Sequence, residues 1–288
     1  MKKIPNEIYD YISSIQRVEF FQEQIVLYTK EGIYAYIPVC SSKEIFDYLE
    51  DIHFQSFYVP INSNHDSFQL FQIEGEPNKK RLFLLEELYT KSSHIISFDS
   101  QIIQRIYQKC YQTIRRQYQF YFDVQNRIEE MYYPRRPFYN LLLKMSDIYR
   151  LLSLGEFFLN EWMQLQPIEY REVLTLRKLD SPNFWGDQII DVSFSRRDYY
   201  IYELANYYQK YYDEEFIMDE LDSFFHHFSC SQEDLLLFYV LISFVEEFDF
   251  EDFQQEESLV SYVLKTNSFL SEKYKEYQKN KEKMFKEK

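Results

Sequence analysis

The spacing of apolar residues changes at Gly75-Glu76-Pro77 from mostly strand-like to mostly helical, and that change limits the folds open to this chain. Ahead of the break, residues 18 to 73 read as a strand-rich region. Ile25-Val26-Leu27-Tyr28-Thr29 and Ile33-Tyr34-Ala35-Tyr36-Ile37 flank Lys30-Glu31-Gly32, which predicts a hairpin. Beyond it, residues 79 to 90, 101 to 131 and 137 to 165 repeat apolar side chains at intervals of three and four, the period of a helix. In the second of these, Ile103, Ile106, Cys110, Ile114, Tyr121, Val124 and Ile128 line one face, and Pro134 and Pro137 separate it from the third.

The finer reading of the first part is β-β-α-β-β. A helix is expected over 42 to 52 after Ser41-Ser42, with Ile45, Tyr48 and Leu49 on one face, and further strands over 56 to 59 and 67 to 73. A short β-like stretch surrounds Ile189-Ile190, helices resume from 198 to 278, and the polar Lys273 to Lys288 reads as a fraying helix. The expected class is therefore α+β: a small β-rich lobe over 1–77, and a larger helical lobe over 78–288 with a β insertion near 173–194.

Charge excludes some partners. With 47 acidic against 32 basic residues the net charge is -15, which repels nucleic-acid phosphates and anionic lipid. Cys40, Cys110 and Cys230 are odd in number and lack metal-ligand spacing, so neither a disulfide framework nor a zinc site is expected. Met1 to Glu7 contains no apolar stretch, and no apolar run approaches the about 18 residues that span a bilayer. A cytoplasmic protein is the expectation. Aromatic residues make up 20% of the chain, yet without a basic groove beside them they read as core rather than as a stacking surface.

Three stretches sharpen the reading: Leu176-Arg177-Lys178-Leu179-Asp180-Ser181-Pro182-Asn183-Phe184, then Ile189-Ile190-Asp191, then Glu203-Leu204-Ala205. Their spacing resembles the aminoglycoside and choline kinase-like group, in which a loop H-G-D-x-x-x-x-N precedes a strand ending I-D and then D-L-A. Lys91-Ser92-Ser93, Tyr139-Asn140-Leu141-Leu142 ahead of Trp162, and Leu241-Ile242-Ser243 are similar to the spore-coat-kinase-like branch of low-GC Gram-positive bacteria. The resemblance implies a two-lobed protein-kinase-like fold.

It also assigns roles, and several are unfilled. Phosphoryl transfer needs metal ligands, a cation on the phosphates and a carboxylate that takes the attacking hydroxyl's proton. Aligned on Asn183, the base position holds Lys178 and the histidine position Leu176; a protonated lysine cannot accept that proton. Asp180 is a poor substitute, because two residues along an extended loop move a carboxylate by roughly 6 to 7 Å. The family's phosphate-contacting lysine falls on the second hairpin strand, where Ile37 stands, and no glycine-rich loop is present. Asn183 and Asp191 match the metal pair, with the oxygen ligands magnesium prefers, although both also suit loop-shaping roles. Glu203 stands where the family has an aspartate that braces the catalytic loop.

The expectation is a catalytically degraded kinase-like protein, a pseudokinase that binds a protein or small-molecule partner, with Mg-ATP bound weakly or not at all. An active Mg-ATP phosphotransferase with a rearranged site, and an α+β interaction protein that binds no nucleotide, are the alternatives. Elsewhere, His226-His227 are neighbours on a helix and point apart, and the acidic run from Asp249 to Glu257 lacks the glycine of a calcium loop. The pairs Arg135-Arg136 and Arg196-Arg197 are candidates for holding an anion.

Overall fold

A computed structural model describes residues 4–21, 24–38, 43–62, 68–78, 81–177, 179, 183–250 and 256–286. In chain order its strands and helices are β1 (Ile15–Phe21), β2 (Gln24–Thr29), β3 (Ile33–Ile37), α1 (Lys43–Asp51), β4 (Gln69–Ile73), α2 (Leu82–Ser92), β5 (His94–Ser97) and α3 (Ser100–Glu129). There follow α4 (Arg136–Leu142), α5 (Met145–Leu165), β6 (Glu169–Thr175), β7 (Phe184–Trp185), β8 (Gln188–Ile189), β9 (Arg196–Tyr199), α6 (Tyr200–Tyr211), α7 (Ile217–His227), α8 (Gln232–Ile242) and α9 (Glu256–Lys286). The chain divides into two compact units, one of residues 1–94, 171–200 and 220–228, the other of residues 95–170, 201–219 and 229–288.

In the first unit β1, β2, β3 and β4 form an antiparallel sheet in sequence order. Successive side chains of a strand point to opposite faces, and here both faces are buried. Leu27, Tyr34, Tyr36, Phe68 and Leu70 pack with Ile8 and Ile12 on one face. Val26, Ala35, Ile37, Phe71 and Ile73 pack on the other. The register Val26↔Ala35 and Ala35↔Phe71 fixes that division, since a slip of one residue would exchange the faces. The expected hairpin is β2–β3, and its turn is closed by Thr29, whose hydroxyl oxygen accepts from the Glu31 and Gly32 N–H groups.

Two strand expectations come out differently. A first strand, β1, precedes the hairpin, and the 56–59 stretch is not among the four strands β1 to β4 of the sheet; within it Phe57 bridges to Ile189. β6 pairs antiparallel with β9 through Val173↔Asp198 and Leu174↔Arg197. β7 and β8 make a separate two-stranded hairpin.

The second unit is helical. α3 starts at Asp99, whose carboxylate accepts from the Gln101 N–H, and buries the stripe Cys110, Ile114, Tyr121, Val124 and Ile128. The single helix expected over 137 to 165 is two, α4 and α5, and α5 packs against α3, α8 and α9. α8 opens with a reciprocal cap, Ser231 Oγ accepting from the Asp234 N–H and Asp234 accepting from the Ser231 N–H. No described helix is long and apolar enough to cross a membrane.

Gly155, in the middle of α5, permits a close approach: a Cβ there would overlap the buried Ser243 hydroxyl and lie 2.8 Å from its Cβ. Gly155→Ala is therefore expected to destabilise the protein by about 1–3 kcal/mol in urea unfolding, although alanine is the better helix former.

Candidate functional site

Of the residues that the sequence singles out, Ile37, Asn183 and Asp191 lie around the β7–β8 hairpin, within the first unit. Both of its edges are hydrogen-bonded to N-terminal segments. On the β8 edge the Ile189 N–H donates to the Ser56 carbonyl and the Ile189 carbonyl accepts from the Tyr58 N–H, each at 2.9 Å. On the β7 edge the Asn78 N–H donates to the Phe184 carbonyl at 2.8 Å, and the Gly186 N–H to the Glu76 carbonyl at 2.9 Å. The Asn78 side chain adds a bond from Nδ2 to the Gly186 carbonyl at 2.9 Å. Gly75 and Gly186 both have positive φ, which favours glycine, and a Cβ on Gly186 would lie 3.2 Å from the Glu74 carbonyl oxygen.

Asn183 precedes the hairpin and Asp191 follows it, and the two are joined directly. Asn183 Nδ2 donates to the Asp191 carbonyl at 3.0 Å, while Asn183 Oδ1 accepts from the Asp191 N–H. The Ile190 N–H donates to the Asn183 carbonyl at 2.9 Å. Asp191 Oδ1 in turn accepts from the Ser193 N–H at 2.9 Å and from the Ser193 hydroxyl. Asn183 is 3% exposed and Asp191 is buried. The same device holds other bends in this glycine-poor chain. Asn62 clamps the backbone at Phe68 and Leu70, and Gln117 clamps both backbone groups of Val245.

Ile37 ends β3 with its side chain on the face that looks toward the hairpin. It is 1% exposed and shares one apolar cluster with Val26, Ala35, Phe71, Ile73, Trp185 and Ile190. Trp185, also 1% exposed, fills the space under the sheet, and its indole Nε1–H donates to the Gly75 carbonyl at 3.0 Å. Sequence reasoning passed over Trp185 and Ser193, and read Gly75 only as part of a break between two regions. The available signal was that Trp185 lies two residues past Asn183 and that Gly75 and Gly186 are two of only four glycines.

Beside the hairpin turn a concavity of about 540 Å³ is lined by Tyr58, Gln72, Glu74, Gly186, Asp187 and Gln188. Its charged side chains are carboxylates. The Tyr58 phenol is pushed above the usual tyrosine range by burial, against a backbone hydrogen bond to Glu74 that pulls the other way, and the charges of Glu74 and Asp187 push it further up. A polyphosphate would meet a repulsive field there.

The remaining candidates are placed as follows. Lys178 and Asp180 lie outside the described residues, as does the 251–255 part of the acidic run. Glu203 sits buried in the first turn of α6, in the second unit. Arg196 and Arg177 both pair with Asp198. Arg197 lies over the Tyr48 ring, 5.1 Å from its centroid, and donates to the Tyr48 hydroxyl at 2.8 Å. Arg135 covers the Phe138 ring. On α7 the His226 and His227 rings are 5.6 Å apart and tilted, and His227 faces Ser223 and Glu86.

A magnesium ion needs oxygen ligands turned toward it. The Asn183 amide oxygen receives the Asp191 N–H, and Asp191 Oδ1 receives the Ser193 N–H and hydroxyl, donors of the loop itself. Among the described residues no three His, Cys, Asp or Glu side chains gather to hold a metal ion.

No protein-family model matches the sequence, and no curated protein matches it. In three dimensions the chain is similar to an aminoglycoside phosphotransferase from Alicyclobacillus acidocaldarius, with a TM-score of 0.65 at 9% identity, covering 96% of this chain and 97% of that one. It is also similar to a choline kinase from Streptococcus pneumoniae, with a TM-score of 0.41 at 13% identity, over 92% of this chain and 96% of that one. The chain has a kinase-like fold, a small antiparallel sheet near the N-terminus and a helical C-terminal part.

Proposed function

We propose that this kinase-like fold performs no phosphoryl transfer and serves as a binding protein, a pseudokinase whose partner is a protein or a small molecule. The observation that carries the reading is the cluster of Ile37, Trp185 and Ile190. In a kinase site the nucleotide lies between a strand-borne lysine and the loop that carries the metal-binding Asn and Asp. In this chain the corresponding strand position is an isoleucine, and the space toward the Asn183–Asp191 loop is filled by apolar side chains and an indole. Hydrogen bonds on both edges of the hairpin hold that arrangement shut. Mg-ATP on this reading binds weakly or not at all. Among kinase-like proteins, the spore-coat-kinase-like branch is the relation we favour, on the residues quoted above, and the cytoplasm is the compartment we favour.

With sugars, choline or aminoglycosides as acceptors, the purified protein is expected to release ADP only at the background rate. A ligand at 100 times its Kd stabilises a fold by about 2.7 kcal/mol, so millimolar Mg-ATP should also leave the Tm unmoved unless its Kd is far below millimolar. Sustained, magnesium-dependent ADP production that is abolished in Asp191→Ala would overturn the proposal.

A further inference from the structure

Around the α3–α4 connection, in the second unit, a chain of net charge -15 presents a surface that is basic and aromatic. Tyr132 and Tyr133 are 88% and 84% exposed, and their rings meet edge to face with centroids 4.6 Å apart. Tyr139 on α4 is exposed, as are Arg127, Arg135 and Arg136. Rings, not carboxylates, hold two of these arginines. Phe138 stacks on Phe250 with centroids 4.4 Å apart; the Arg127 guanidinium lies 4.0 Å from the centre of Phe250, and that of Arg135 lies 4.8 Å from the centre of Phe138. A guanidinium laid on a ring keeps its in-plane N–H donors free for a further partner. Earlier on α3, Arg115 and Arg116 are paired with Glu156 and Glu247. Among the described residues Arg127, Arg135 and Arg136 form no ion pair, although Glu129 and Glu130 are close to them in the sequence. Pro134 and Pro137 bracket the arginine pair and restrict its backbone, so little freedom is lost when a partner docks.

Tyrosine and arginine are the side chains that most often carry binding energy at protein interfaces. Charge selects the kind of partner. Three guanidinium groups without carboxylates call for carboxylates from outside. The rest of the chain, with 47 acidic against 32 basic residues, repels any polyanion long enough to reach past the patch, which disfavours nucleic acid and an anionic membrane. On the reading of the chain as a binding protein, we propose that the surface centred on Tyr132, Tyr133, Arg135 and Arg136 docks a short acidic segment of a protein partner. Its carboxylates meet the guanidinium edges, and its apolar side chains lie against the tyrosine rings. The Asn183–Asp191 loop, which belongs to the first unit, takes no part.

In the test, full-length protein is titrated into a short fluorescein-labelled peptide of alternating glutamate and leucine, with fluorescence anisotropy as the readout. Saturable binding is expected, weaker as salt is raised, and about tenfold weaker in Arg135→Ala/Arg136→Ala and in Tyr132→Ala/Tyr133→Ala. All four side chains are exposed, so both double variants should keep the parent's Tm. Removing the same charge elsewhere on α3, in Arg105→Ala/Lys109→Ala, should leave the affinity unchanged. A parent that does not bind the peptide, or an equal loss in the Arg105/Lys109 variant, would overturn the docking surface. So would tighter binding of oligothymidine or of phosphatidylglycerol vesicles that the Arg135/Arg136 variant abolishes, which would give the surface to nucleic acid or to a membrane. Dimerisation abolished by that variant would give it instead to a second copy of the chain. Each of these failures leaves the absence of turnover standing, whereas ADP production by the parent would remove the pseudokinase reading and leave the peptide titration as it is.

Discussion

Ile37→Lys will lower the stability of the protein by about 3–5 kcal/mol at pH 7, and by progressively less as the pH is raised toward 10. The position is 1% exposed and its cluster contains no carboxylate. Gln69, opposite on β4, offers an amide and no charge. A lysine there must either bury an unpaired ammonium or give up its proton, and burial pushes a lysine pKa down by as much as about 3–5 units. The sign follows from that depression. Above the unfolded-state pKa, about 10.4, both states are neutral and no electrostatic penalty exists; the penalty grows as the pH falls below that value and is complete below the depressed folded-state pKa. Urea unfolding of parent and variant between pH 6 and 10 reads the trend. A lysine facing an open, watered phosphate site would keep its head in solvent and cost little at any pH. Unchanged stability at pH 7 would therefore reopen the cleft and the case for nucleotide binding. The same argument bears on any attempt to restore a kinase by combining Ile37→Lys with Lys178→Asp: restoring the base contributes little while the phosphate lysine has no place to stand.

Why some of this was legible in the sequence and some was not follows from where each signal resides. The β2–β3 hairpin and the α3 stripe are local patterns: two short apolar runs around a glycine-bearing turn, and a three-four repeat, report them directly. β1 reads Ile-Gln-Arg-Val-Glu-Phe-Phe and lies at the sheet edge, largely half-exposed, so its alternation is blurred. β6 and β9 carry Glu169, Arg171, Glu172, Arg196, Arg197 and Asp198, a polar composition that reads as loop and becomes strand only through mutual pairing. The 56–59 stretch has a strand's composition, but its hydrogen-bonding partner is Ile189, far along the chain. The α4–α5 break at Leu143-Lys144 has neither proline nor glycine to announce it. For the site, the resemblance to the kinase-like group brought out Asn183 and Asp191, which the fold joins. The role of Trp185 depends on Gly75, Ile37 and Ile190 meeting in space, and no local pattern encodes that.

Asn183→Ala is expected to cost about 2–4 kcal/mol and to do so equally with and without magnesium. The alanine removes both bonds of the clamp and leaves the Asp191 N–H and carbonyl without that partner, each worth about 1–3 kcal/mol when buried and unsatisfied. Asn62→Ala, which breaks the equivalent clamp on Phe68 and Leu70, should cost a similar amount, because the chemistry and the burial are alike. Asn183→Asp separates structure from metal binding. A carboxylate keeps an oxygen for the Asp191 N–H but turns its second oxygen toward the Asp191 carbonyl, where the amide had a donor, and it places a charge at a 3% exposed site. The clamp therefore predicts destabilisation in Asn183→Asp that 10 mM magnesium leaves unchanged, alongside a parent whose Tm is also indifferent to magnesium. A metal ligand predicts the reverse order, since adding negative charge to an oxygen site strengthens its hold on a divalent cation. If magnesium raised the Tm of the parent, and raised that of Asn183→Asp further, Asn183 and Asp191 would be a working metal pair and the reading of this loop as a purely structural closure would fall.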